Sequence, residues 1–234
     1  MEICIVGKGS IGYRHATIFY KLGCKIIFFR THQSTLKKKQ NFRFKEISRF
    51  SDIKKNKISL VVISNPTSLH FRTLVKFSKL CKNFLIEKPM SNNLGELIKI
   101  SKLVKKRKLN IFAGYMMRHD PRILKIKKML KNKKIILSNF TWKTYLPNWH
   151  PYENFRNSYA FNKKMGGGVI KTCSHEIDLT TMFNGPAKKV FCVNYDGNLG
   201  GNIDESVSIY IEHINGSTSE VKLNFGSKKI LRTF

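Results

Sequence analysis

The apolar run Ile3-Cys4-Ile5-Val6 leads straight into Gly7-Lys8-Gly9-Ser10-Ile11-Gly12, and no other stretch restricts the fold as strongly. Gly7 permits a tight turn. Gly9 lets the backbone approach a pyrophosphate, and Gly12 allows close helix–strand contact, while the following helix N-terminus presents a positive dipole end. Residues 11–22 have helical spacing, with Ile11, Ile18, Phe19 and Leu22 available for one face, and Gly23 ends the segment. Lys25-Ile26-Ile27-Phe28-Phe29 is then a second short apolar strand. Strand, glycine turn, helix and strand follow one another as in a dinucleotide-binding unit. A lone G-x-G-x-x-G is a weak motif, but between a strand and a helix it is a strong one. The candidate cofactor contacts here are Gly7, Gly9, Ser10, Ile11 and Gly12.

In such a unit the second strand normally ends in an acidic residue that binds the adenosine ribose of NAD. Here it ends in Arg30-Thr31-His32, and no Asp or Glu stands between Glu2 and Glu46. Arg30 suits a 2′-phosphate, with Thr31, His32 or Lys37 assisting, which favours NADP over NAD. The competing reading is an exposed arginine in a very basic protein.

The alternation continues. Leu60-Val61-Val62-Ile63, Phe84-Leu85-Ile86 and Leu109-Asn110-Ile111-Phe112-Ala113 are strand-like, separated by helical patterns over 67–82 and 92–108. Apolar runs bounded by turns and separated by helices indicate a parallel sheet covered on both faces. After about residue 120 the pattern changes. A Lys-rich helix over 121–131 precedes a long strand over 134–145 and a polar, aromatic loop. Gly166-Gly167-Gly168 then opens one helix running to Asn184-Gly185-Pro186. Val207, Ile209 and Ile211 alternate with polar residues, Asn215-Gly216 is a hairpin turn, and Val221, Leu223 and Phe225 alternate after it. The expected architecture is an α/β Rossmann domain over residues 1–119. An α+β domain over 120–234 follows, with a helix-backed, mainly antiparallel open sheet.

Composition narrows the function classes. The 234 residues carry a net charge of +30, which raises nucleic acid or an anionic surface as a partner. The chain also holds 19 Asn and only 4 Ala, the mixture an A/T-rich coding sequence produces without selection for any partner. The basic residues are spread over helix-like surfaces and no nucleic-acid motif accompanies them, so no specific nucleic-acid partner is expected. No apolar run reaches the roughly 18 residues of a membrane span. The N-terminus lacks the layout of a signal peptide. Five scattered cysteines without a C-x-x-C predict reduced thiols, no structural metal and a cytoplasmic location.

Ser64-Asn65-Pro66-Thr67-Ser68-Leu69-His70, Glu87-Lys88-Pro89, Gly114-Tyr115-Met116-Met117-Arg118 and Gly166-Gly167-Gly168 with Ser174-His175-Glu176-Ile177-Asp178 occur in one order. That order resembles the glucose–fructose oxidoreductase / inositol dehydrogenase (Gfo/Idh/MocA) family over essentially the whole chain. Tyr145-Leu146-Pro147-Asn148-Trp149-His150-Pro151 and the Ser-His-Glu-Ile-Asp form are similar to a branch associated with surface-sugar biosynthesis. The resemblance implies hydride transfer between NADP or NAD and a sugar, sugar acid or nucleotide-linked sugar. It implies that Lys88 lies beside the nicotinamide and shares proton handling with His175. It gives Asn65, Pro66, His70 and Glu87 to the cofactor side. Residues 145–159 are expected to line the sugar pocket, with Trp149 as a stacking face and His150, Arg156 and Tyr159 as polar contacts. Arg118, Arg156 and Lys171 suit an anionic group on the substrate.

Thr172 stands where the family usually has an Asp; it can hydrogen-bond but holds no charge. Lys171, four residues before His175, is expected to share its helical face and to disfavour an imidazolium. Asp178 reads better as a helix anchor than as a relay. Family members run further at the C-terminus, so the chain is expected to be short, with an open sheet edge. They commonly associate through the outer face of the second sheet, which implies a homo-oligomer. A catalytically silent NADP-binding subunit is the alternative function.

Overall fold

The computed structural model describes residues 1–30, 43–53, 57–149, 154–195 and 197–234. The chain divides into two compact units, Met1–Gly114 and Tyr115–Phe234.

In the first unit, β1 (Glu2–Val6) enters the glycine loop, and α1 (Ser10–Lys21) leads to β2 (Lys25–Phe29). β3 (Lys45–Ile47), the short α2 (Phe50–Ile53) and β4 (Leu60–Ile63) follow. A 3₁₀ turn at Thr67–Leu69 opens α3 (His70–Phe77), and β5 (Asn83–Ile86), α4 (Leu94–Arg107) and β6 (Asn110–Ala113) complete the unit. The strands form one sheet in the order β3-β2-β1-β4-β5-β6, every pairing parallel.

Because successive strand residues point to opposite faces, β1 feeds two cores at once. Ile3 and Ile5 pack with Phe28, Val62 and Ala16 of α1. Cys4 and Val6 pack with Phe29, Val61, Leu74 and Phe77 of α3 and Ile100 of α4. Each fully buried Ile or Phe contributes roughly 1.5–3 kcal/mol relative to exposure. This double burial is why the strands read as unbroken apolar runs. Burial pushes the Cys4 thiol up to about 12, so it behaves as a core residue.

The second unit opens with a 3₁₀ turn at Met116–His119 and α5 (Pro121–Met129), whose cap is Asp120 accepting from the Arg122 amide at 2.8 Å. β7 (Leu137–Tyr145) and the short α6 (Leu146–Trp149) precede a run of 3₁₀ turns. α7 (Val169–Thr172), α8 (Ser174–Asn184) and the strands β8 (Ala187–Tyr195), β9 (Ser206–His213), β10 (Thr218–Asn224) and β11 (Gly226–Thr233) follow. The sheet order is β11-β7-β10-β9-β8, antiparallel except for the parallel β7–β10 pair. Val207, Ile209 and Ile211 of β9 and Val221 and Leu223 of β10 point inward, where Phe140, Leu179 and Ile123 meet them. Among the described residues no helix is long and apolar enough to cross a membrane.

The single helix expected after the glycine triplet is two. The chain breaks at Cys173 (φ −100°, ψ 28°). Residues 172–176 are all buried, and a straight helix cannot turn five consecutive residues toward one core. The break lets both segments face inward, and it removes the four-residue helical spacing by which Lys171 was expected to share a face with His175.

Candidate functional site

In the first unit the candidate residues gather around the loop between β1 and α1. Gly7 has φ +100°, and a Cβ there would stand 2.7 Å from the Asn65 amide nitrogen. A Cβ on Gly12 would stand 2.1 Å from the Gly7 carbonyl oxygen, so the helix packs directly on the loop. Ser64 Oγ donates to the Val6 and Gly7 carbonyls at 3.1 and 3.2 Å and fixes the loop from below. Gly9 is different: among the described residues a Cβ there would meet nothing within 4 Å. Gly9 is the N-cap of α1 and has no side chain with which to cap it, while Ser10 is exposed and Ile11 half-buried in the first turn. An open glycine at an uncapped helix N-terminus is the arrangement that receives a pyrophosphate, so the residues present fit a dinucleotide.

Two further strand ends meet this loop. Asn65 follows β4, and its Nδ2 donates to Thr73 Oγ1 at 2.9 Å. Pro66 opens the turn into α3. His70 is buried, with Nε2 2.8 Å from the Asn65 carbonyl oxygen and Nδ1 3.0 Å from that of Pro89. Burial lowers the His70 pKa below the ordinary imidazole value, and the two carbonyls pull the other way. His70 therefore braces the loop after β4 against the loop after β5. That second loop carries Glu87 and Lys88, both half-buried, and a cis bond before Pro89. Glu87 Oε1 accepts from His15 Nε2 at 2.7 Å, and Oε2 accepts from the Lys88 amide at 3.3 Å. A Cβ on Gly114, just after β6, would stand 3.1 Å from this carboxylate, so a larger residue there would make the Glu87 side chain give by a few tenths of an ångström.

At the end of β2, Arg30 Nε lies 2.6 Å from Glu46 Oε2, and Lys8 Nζ of the glycine loop lies 2.6 Å from Glu46 Oε1. Thr31, His32 and Lys37, expected to assist Arg30, lie outside the described residues, as does His150. Sequence reasoning missed Glu46, because only the β2–β3 register brings it opposite Phe28. It also missed His15, although three residues after Gly12 is the spacing that returns a helix to the same face.

In the second unit His175 is the second residue of α8 and 8% exposed. The Tyr115 ring stands edge-on to it with centroids 5.7 Å apart. Burial pushes the Tyr115 phenol above its ordinary value. One turn along α8, Asp178 receives a two-pronged contact from Arg118, Nε to Oδ2 at 2.7 Å and Nη2 to Oδ1 at 2.9 Å. Glu176 is fully buried and accepts from Arg232 Nε at 2.7 Å, with the guanidinium also 4.8 Å above the Trp142 ring. Thr172 is buried at the end of α7 and Lys171 half-buried beside it. Trp149 packs into the core against Trp142 and Phe225, at 5.7 and 6.1 Å between ring centroids. Tyr159 is half-buried against the same core. Arg156 is exposed and lies over Phe155 and Phe161. Within the second unit the structure thus groups Arg118 and His175 around α8, and puts Trp149 and Arg156 in other surroundings.

Residues 1–115 match the GFO_IDH_MocA family model, described as the oxidoreductase family with an NAD-binding Rossmann fold. Over 95% of its length the chain is 25% identical to scyllo-inositol 2-dehydrogenase (NAD(+)) of Bacillus subtilis (strain 168), and it spans 66% of that protein. Its fold is similar to that of an NADPH-dependent oxidoreductase, so described, from Desulfitobacterium hafniense DCB-2. The TM-score is 0.83 at 16% identity, covering 99% of this chain and 69% of the other. It is similar also to the WlbA dehydrogenase from Bordetella pertussis, solved with NADH and UDP-GlcNAcA. That TM-score is 0.80 at 14% identity, covering 98% and 72%.

Proposed function

We propose that this chain, which matches the Gfo/Idh/MocA oxidoreductase family model over residues 1–115, moves a hydride between a nicotinamide dinucleotide and a carbon of a sugar, sugar acid or nucleotide-linked sugar. The observation that carries this reading is the open Gly9 at the start of α1, on a loop whose Gly7 packs on Asn65 and whose helix is tied through His15 to Glu87 next to Lys88. The relatives' named ligands, an inositol in one and NADH with UDP-GlcNAcA in another, support the substrate class.

The bound nicotinamide would supply the hydride chemistry. The chain's own residues would do the rest. The glycine loop and the first turn of α1 would hold the pyrophosphate through backbone amides and the helix dipole. Lys88, on the loop that Glu87 and His70 brace, would move the proton of the reacting hydroxyl. His175, held at the start of α8 with Tyr115 against its ring, would be the second proton-handling group. The Arg118–Asp178 fork would fix the orientation of α8 around it. NADP is the proposed preference, supported by the excess of two cations, Arg30 and Lys8, over the one Glu46 carboxylate that pairs with both at the end of β2. Self-association through the outer face of the second sheet is supported by Phe191 and Tyr210, which stand exposed there at 64% and 47%.

Turnover of NADPH and NADH with a panel of sugars, sugar acids and nucleotide sugars tests this. Lys88→Met should lower kcat by about a hundredfold, the upper range of acid–base catalysis being larger still, while dinucleotide affinity stays. Unchanged turnover would remove Lys88 from the reaction. A second reading, a catalytically silent NADP-binding subunit, is favoured by Thr172, which holds no charge beside the start of α8. Saturable NADPH binding without turnover, unaltered by Thr172→Asp, would select it.

A further inference from the structure

We infer that Glu46 sets the choice between NAD and NADP, supplying from β3 the carboxylate that the end of β2 lacks. This rests on the dinucleotide reading above and goes beyond it by naming the residue that decides specificity.

Three charged groups meet at one place. Lys8 comes from the glycine loop, Arg30 from the residue after β2, and Glu46 from the middle of β3. Each oxygen of the single carboxylate takes one cation at 2.6 Å. The backbone fixes this meeting, because Phe28 pairs with Glu46 in the strand register and the Arg30 amide donates to the Ile47 carbonyl at 3.0 Å. The Glu46 side chain is 34% exposed and Arg30 29%, so both are open to a ligand at the end of β2, where this fold receives the adenosine ribose.

The chemistry of the group follows from its charges. A carboxylate oxygen that already accepts from one cation keeps a second acceptor position, which a ribose 2′-hydroxyl can use. A 2′-phosphate instead competes with Glu46 for Arg30 and Lys8, and is repelled by the carboxylate between them. Two cations against one carboxylate leave room for a phosphate, but Glu46 opposes it. Replacing the carboxylate with an amide keeps the shape and a neutral acceptor, removes the repulsion, and weakens the hold of residue 46 on both cations.

The test is direct binding of NADH and NADPH, by calorimetry, to the full chain carrying Glu46→Gln, Arg30→Ala or both. Glu46→Gln should tighten NADPH about tenfold and change NADH by less than about threefold, the scale of one partly screened charge pair. Arg30→Ala should reduce that gain in the double variant to the share that Lys8 supplies. An NADPH-to-NADH ratio unmoved by Glu46→Gln, or a gain that Arg30→Ala leaves undiminished, overturns the inference alone. A wild-type chain that binds neither dinucleotide overturns both the inference and the reading beneath it. Circular dichroism of each variant separates loss of binding from loss of fold, and a folded Glu46→Asp that keeps the wild-type ratio supports the carboxylate as the determinant.

Discussion

His15 Nε2 lies 2.7 Å from Glu87 Oε1, so the helix that leaves the glycine loop is tied by its second turn to the strand end that carries Lys88. Two motifs 72 residues apart in sequence are thereby one structural object. His15→Phe keeps a ring against Phe19 and removes the donor, leaving a half-buried carboxylate short of one hydrogen bond. The expected cost is about 1–2 kcal/mol in urea unfolding. His15→Gln should recover part of it, and equal stability of all three proteins would show that the contact contributes nothing.

The pH dependence of stability should carry the mark of His70. Its folded-state pKa is lowered by burial, against the pull of the two carbonyls that face its ring nitrogens, so the unfolded chain binds the proton more readily than the folded one. The contribution is present above the unfolded value of 6.5 and is lost as pH falls below it toward the folded value. Unfolding midpoints at about pH 7.5 and pH 5 should therefore fall more steeply in the wild type than in His70→Gln. Parallel slopes would contradict this.

The buried Glu176 depends on Arg232 across the second unit's sheet. Arg232→Met leaves the carboxylate in place and removes its guanidinium partner, which should cost about 3 kcal/mol. Adding Glu176→Gln to that variant should restore a good part of the loss, since the carboxylate charge that Arg232 paired is then gone. Thermal or urea unfolding of the pair of variants reads both numbers, and a cost under about 0.5 kcal/mol for the single change would refute the account.

Much of this molecule was legible in advance because its strands are buried on both faces. Leu60–Ile63 and Phe84–Ile86 read as continuous apolar runs, and the glycine loop marks where the first of their neighbours turns. The β9–β10 hairpin was equally open, through period-two alternation and Asn215-Gly216, whose glycine has φ +83°. What stayed hidden depends on pairing rather than on local pattern. β3 is three residues long and mostly polar, so nothing in Lys45-Glu46-Ile47 by itself announces a strand. Glu46 acquires its place from the register with β2, and β7 acquires its parallel partner β10 from a chain segment 81 residues on. The break at Cys173 was hidden for a related reason: helical spacing continues through it, and only the demand to bury both flanking segments divides the helix.

Gly12 and Gly9 should separate stability from binding. Gly12→Ala drives a Cβ into the Gly7 carbonyl and should destabilise the first unit by several kcal/mol, about the scale of an overpacked core position. Gly9→Ala meets no atom of the described residues within 4 Å and should cost about 1 kcal/mol or less, the difference between glycine and alanine as a helix cap. Comparable losses in the two variants would mean that Gly9 is held by packing and not left open for a ligand.

Calorimetric titration of the wild type and of folded Gly9→Ala with NADPH and NADH reads whether a dinucleotide sits on the glycine loop. Saturable one-to-one binding is expected in the wild type, weakened at least about tenfold in Gly9→Ala because the added methyl occupies the space of the pyrophosphate. No saturable binding in the wild type, or binding that Gly9→Ala leaves untouched, would contradict it.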